Sequence, residues 1–174
     1  MVCSAVHSAH QNLIIHRDIK PSNIIVTSDG IPKLLDFGIS KLLSQDDSTD
    51  GTKFTRFGTR VMTIEYASPE QIKGGKITTA SDIYSLGVLL YELLTGKRPY
   101  KIKSDAPFEA EKIITTGAPV KPSTAVIENA VNKELPEENK NGWGEEKKHK
   151  ISRSLKGDLD NIILMSLRKE PERR

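Results

Sequence analysis

Two acids, a lysine and an amide stand close together near the start of the chain: Asp18, Lys20, Asn23 and, after one short hairpin, Asp36. Phosphoryl transfer asks for side chains of these types. The transferred group is ringed by negative oxygens, so the protein must offer hard oxygen ligands to a divalent metal and a carboxylate to orient the incoming hydroxyl. Asp18, Asn23 and Asp36 have the chemistry for both tasks. They lie in Ile15-His16-Arg17-Asp18-Ile19-Lys20-Pro21-Ser22-Asn23 and in Asp36-Phe37-Gly38. Either motif alone would read as a charged turn met by chance, and only structural context gives it weight.

The context begins between them. Ile24-Ile25-Val26, then Ser28-Asp29-Gly30, then Lys33-Leu34-Leu35 read as two short strands joined by a glycine-containing turn. A hairpin there returns Asn23 and Asp36 to the same end, where one metal site can use both. Upstream, Val2, Ala5, Val6, Ala9 and Leu13 recur at helical spacing, so the first dozen residues form an amphipathic helix leading into the loop. His7 and His10 lie three apart, as metal ligands can, but no Cys or acid accompanies them and surface histidines are the better reading. From Ile39 to about Thr63 periodicity is lost, which predicts a long polar loop, functional or disordered.

The clearest helix runs from Thr79 to Thr95, with a capping-box-like start at Thr79 and Asp82, a stop at Gly96 and Pro99 shortly after. Its apolar residues Ile83, Leu86, Val88, Leu89, Leu90, Leu93 and Leu94 wrap nearly all round, which predicts burial on most sides. Pro107 to Thr115 is a short helix. From about Pro119 to Leu155 the sequence turns charged and irregular and reads as a solvated loop or insert. Trp143 within it is either a partner anchor or a tack holding the loop to the core. A last helix begins after Gly157 with Asp158 as cap, buries Leu159, Ile162, Ile163 and Leu167, and precedes Pro171.

At 174 residues with 36% apolar content, the chain is one domain or a large part of one. A net charge of +3 and 5% aromatics argue against a nucleic-acid partner. Cys3 is the only cysteine, which excludes a disulfide framework. No apolar run is long enough to span a membrane and no signal pattern opens the chain, so it reads as soluble and cytoplasmic.

The order of these motifs resembles the protein kinase catalytic domain: His-Arg-Asp-x-Lys-x-x-Asn at 16–23, Asp-Phe-Gly at 36–38, Ser68-Pro69-Glu70 where the family usually has Ala-Pro-Glu, Asp82 and Gly87 on the central helix, and Pro171-Glu172-Arg173-Arg174. Lys20 points to the serine/threonine class. The stretch through Tyr66-Ala67-Ser68-Pro69-Glu70 and the ending Gly157-Asp158-Leu159-Asp160-Asn161 look most like bacterial members. The implied fold is α+β for the family and mainly α in this chain: a protein kinase-like C-terminal lobe only, with a small β-hairpin carrying the catalytic and metal-binding residues. Residues 1–174 then form a partial kinase domain lacking the N-lobe and final helix, with an activation segment at 39–67 and a charged loop or insert at 119–156.

By that resemblance Asp18 accepts or orients the substrate hydroxyl proton, Lys20 neutralises the γ-phosphate of ATP, and Asn23 with Asp36 holds Mg²⁺. Arg17 pairs with a phosphate on the activation segment, for which Thr55 and Thr59 are the candidate sites. Thr63 braces Asp18 and Lys20, Gly38 completes the metal-binding motif, and Asp82 holds the backbone of the turn at His16. Read from the residues alone, Asp82 is merely an acid favoured by a helix N-terminus. Glu70 and Arg174 form a buried ion pair by resemblance and are ordinary surface charges without it. The implied partners are a protein substrate bearing Ser or Thr and the missing N-lobe, because no Gly-x-Gly-x-x-Gly loop and no Val-Ala-x-Lys strand occur in the 174 residues. The alternative is a non-catalytic docking module that has lost nucleotide chemistry.

Overall fold

The computed structural model describes residues 1–36, 64–102, 107–131 and 145–174. Among these the architecture is mostly helical with one two-stranded sheet. In chain order the elements are α1 (Val2–Gln11), β1 (Ile24–Val26), β2 (Pro32–Leu34), α2 (Pro69–Ile72), α3 (Thr79–Thr95), α4 (Pro107–Thr116), α5 (Pro122–Val131), α6 (Glu145–Leu155) and α7 (Asp158–Ser166). Single 3-10 turns lie at Pro21–Asn23, Ile64–Tyr66 and Pro171–Arg173. No described helix is long and apolar enough to cross a membrane.

Helix α3 is the scaffold. Tyr84, Val88 and Tyr91 pack with Ile72, Tyr100, Ile114, Ala125, Ile163 and Leu167 into one core. Leu89, on another face, joins Val6 of α1 and Ile19 of the loop, with Ile24 and Leu34 of the hairpin against them. Burying aliphatic and aromatic side chains this fully is worth roughly 1.5–3 kcal/mol each. One central helix thus carries both the bulk of the molecule and the floor of the loop that holds the acids. Gly87 lets α7 approach: a Cβ built there would collide with Ser166 Oγ.

The box that starts α3 is formed by Thr78 and Ser81, not by Thr79 and Asp82. Asp82 is turned inward, 1% exposed, and is committed elsewhere. At the other end Gly96 adopts φ 70° and donates to Glu92 O, the stop that the glycine predicts. The helix is not covered all round. Ile83, Leu90 and Leu93 are 36%, 37% and 69% exposed, because an apolar side chain says nothing about which face meets a neighbour.

Three other expectations are corrected. Helix α1 ends at Gln11, and the chain then turns through a left-handed Leu13 (φ 59°), which is 91% exposed rather than part of the buried stripe. The charged stretch read as an irregular loop contains α5 and α6, which bury Ala125, Val126, Ser152 and Leu155. Asp160 stabilises the start of α5 from α7, accepting from Ser123 N (2.9 Å) and Ser123 Oγ (2.6 Å), so the cap that would mark the helix lies 37 residues downstream. In α7 the cap position is Gly157, with Asp158 inside the helix; Ile163 and Leu167 are buried while Leu159 and Ile162 face outward.

Candidate active site

The loop from Asn12 to Lys20 has little secondary structure of its own, so its shape depends on side chains that bond its backbone. Asp82 supplies two such bonds. Its Oδ2 accepts from His16 N and its Oδ1 from Arg17 N, both at 2.8 Å. His10 Nε2 lies 2.8 Å from the same Oδ2, so His10 is a partly buried partner of Asp82 and not a surface histidine. The acid also lies in the first turn of α3, where the helix dipole favours it, so the two readings of Asp82 are compatible.

His16 is fully buried and links the loop to the hairpin. Its Nε2 is 2.9 Å from Leu35 O, which can only accept, so Nε2 carries the proton. The ring's Nδ1 is left to accept from Asp18 N at 3.3 Å. One neutral imidazole thereby ties the residue before Asp36 to Asp18 itself.

Asp18 is gripped from two sides. Lys20 Nζ lies 2.9 Å from its Oδ2, and Asn23 Nδ2 donates to the same oxygen at 3.2 Å and to Asp18 O at 2.7 Å. Pro21 at the first position of the 3-10 turn fixes the backbone that swings Asn23 back. Asn23 uses its amide nitrogen on Asp18, so its amide oxygen, a hard donor, is not the atom engaged in that contact. The hairpin register is Ile24↔Leu34, Ile25↔Lys33 and Val26↔Pro32, and the second strand starts at Pro32, one residue earlier than expected. Leu35 N continues the ladder to Asn23 O at 2.8 Å, which leaves Asp36 one residue past the level of Asn23. Arg17 (φ 69°) and Asp36 (φ 46°) both hold left-handed backbone, a conformation that side-chain-bearing residues keep only where their surroundings over-determine it.

A second constellation locks α2 to the chain's last residue. Arg174 donates to Glu70 Oε1 and Oε2 at 2.7 and 2.8 Å, and to Ala80 O at 2.9 Å. Ser81 Oγ donates to Glu70 Oε1 at 2.6 Å. Burial pushes the Glu70 carboxyl up, but the bonds from Arg174 and then Ser81 outweigh it and hold it below the ordinary glutamate value. The guanidinium also lies 5.0 Å from the Tyr84 ring centroid. Lys169 nearby donates to Tyr100 OH and Ile114 O, and burial, then repulsion from Arg174, lowers it to about 8.

Gln71 joins the two constellations, and nothing in the sequence reading pointed to it. Its Oε1 accepts from Ser68 N at 2.9 Å and Ser68 Oγ at 3.1 Å, while its Nε2 donates to Arg17 O at 2.7 Å. Ser68, which stands where alanine is usual in the family it resembles, thus supplies the cap of α2. A glutamine on a short helix carries no periodic or charge signal. His10 had a signal, its spacing from His7, but that spacing suggested a metal. Phe37, Gly38, Thr55, Thr59, Thr63 and Trp143 lie outside the described residues. Among the described residues no cluster of three His, Cys, Asp or Glu side chains is built to hold a metal.

Comparison with known proteins gives the same picture. A family model described as "Protein kinase domain" matches residues 1–174. The chain is 33% identical over 172 residues to serine/threonine-protein kinase PknB of Mycobacterium tuberculosis, covering 99% of the chain and 22% of that protein. It is 46% identical over 99 residues to probable serine/threonine-protein kinase PknB of Lactococcus lactis, covering 57% of the chain and 15% of that protein. The same identity over 99 residues relates it to serine/threonine-protein kinase PrkC of Bacillus subtilis, at 14% of that protein's length. The chain spans about a fifth of the first of these relatives.

Proposed function

The chain belongs to the protein kinase family, and from that premise we propose that it carries the catalytic loop of a serine/threonine kinase that moves the γ-phosphoryl of ATP to Ser or Thr hydroxyls of proteins. The observation that carries the reading is the grip of Lys20 and Asn23 on Asp18. A carboxylate held in this way can receive or orient a hydroxyl proton without losing time to rotamer search. Lys20 is also within reach of a phosphate that approaches Asp18. The Ser/Thr class is supported by Lys20 and by the names of the relatives.

Protein kinases generally use ATP with Mg²⁺. The donors here suit that ion: the amide oxygen of Asn23 and the carboxylate of Asp36 are hard oxygens on residues at one end of the hairpin, and Mg²⁺ takes few protein ligands, filling its shell with water and phosphate. Bound there, it would draw charge off the transferring phosphate. His16 ties Leu35, the neighbour of Asp36, to Asp18, the residue that Asn23 holds. ATP is a cytoplasmic donor, so the cytoplasm is the natural place for this site. A docking module without chemistry has no physical need for the Asp18 grip.

Asp18→Asn in the full-length protein should lower turnover on a Ser/Thr peptide by on the order of 10²–10⁴, the usual worth of a positioned base. Near-wild-type phosphorylation by that variant would overturn the assignment.

A further inference from the structure

We propose that Gln71 is a positioning residue for Asp18, coupling the start of α2 to the loop that carries the reacting acid; the inference rests on the reading of Asp18 given above. The coupling starts at Arg17, whose left-handed backbone (φ 69°) needs restraint on both sides. On one side its N–H is bonded to Asp82. On the other its carbonyl accepts from Gln71 Nε2 at 2.7 Å, a bond across 54 residues of sequence. That carbonyl belongs to the peptide unit whose nitrogen is Asp18 N. The tilt of the Arg17–Asp18 peptide, and with it the direction in which the Asp18 side chain leaves the backbone, is set by Gln71 from one end and by His16 Nδ1 from the other.

The glutamine amide is itself not free to turn. Ser68 N and Ser68 Oγ both donate to its Oε1, which fixes its Nε2 toward Arg17. Ser68 is fully buried and immediately precedes α2. Any displacement of the chain entering α2 is therefore passed through a single planar amide to the backbone of Asp18. Lys20 and Asn23 grip oxygens of Asp18 itself, whereas Gln71 bonds the carbonyl of the peptide before it.

The test uses the full-length protein with Gln71→Met, which keeps the side chain's length and removes the amide, and Gln71→Glu, which keeps the acceptor for Ser68 and places an oxygen against the Arg17 carbonyl. Ser123→Ala, which loosens α5 far from the site, is the control for stability alone. Both Gln71 variants should lower kcat by roughly 10- to 100-fold, the scale of a small misplacement of a catalytic group, with KM for ATP changed less than about twofold. Amide hydrogen exchange in a peptide covering residues 14–20 should quicken in both variants and stay unchanged in Ser123→Ala. Wild-type kcat and wild-type exchange in either folded Gln71 variant would overturn the proposal, as would a kcat loss that Ser123→Ala reproduces at equal loss of melting temperature. Should the full-length protein transfer no phosphate, the kinase reading fails, while the exchange measurement still decides whether Gln71 positions the loop.

Discussion

Neutralising Glu70 strands a guanidinium that has no route to water, since the Arg174 side chain is 0% exposed. Breaking one partner of such a pair typically costs about 3–5 kcal/mol, so Glu70→Gln should lower stability by that order in a denaturant titration, where a change under about 1 kcal/mol would contradict the geometry. The pH dependence has a definite sign. The folded carboxyl titrates below its ordinary value of 4.5, so its contribution is complete above that value and is lost as pH falls through the lower folded one. Acid unfolding followed by circular dichroism should show that slope in the wild type and lack it in Glu70→Gln. At this scale the sequence was informative where charge meets a motif: Asp18, Lys20, Asn23 and Asp82 could all be singled out in advance. His10 and Gln71 could not be placed, because each acts through a backbone or carboxylate partner more than fifty positions away, and no local pattern announces that.

Among the elements, the hairpin and the stop of α3 were readable because turn glycines act locally: Gly30 (φ 75°) and Gly96 (φ 70°) each take up a backbone that other residues resist. Helices α5 and α6 were not readable. Their stabilisation comes from burial of a few small or aliphatic groups and from a carboxylate on another helix, so the mixed charges of the local sequence dominate the signal. The same observation makes a prediction. Asp160→Ala removes the acceptor for Ser123 N and Oγ at a buried site, and should destabilise the protein by roughly 1–3 kcal/mol. Hydrogen exchange should rise first in Pro122–Val131; an increase spread evenly over the molecule would show that Asp160 is not a specific cap of α5.

At the scale of the molecule, the 174 residues include the proposed metal ligands and base but no Gly-x-Gly-x-x-Gly stretch to cradle phosphates. A polypeptide made of these residues alone should bind Mg-ATP weakly and phosphorylate nothing, as judged by calorimetric titration beside a peptide assay; micromolar affinity with turnover would refute this. Leu93 and Ile162 are 69% and 58% exposed, so the same polypeptide should self-associate as its concentration rises, which sedimentation velocity can test. The clasp between Glu70 and Arg174 also has a meaning in time. The partners are 104 positions apart, and a ribosome adding about 5–20 residues per second needs roughly 5–20 s to pass from one to the other. Throughout that interval the nascent carboxylate has no Arg174 to pair with, although Ser81, its other side-chain partner, is added only eleven residues on. The clasp on α2 therefore cannot close until Arg174 has been made, and a pause in translation before that point would lengthen the time it stays open.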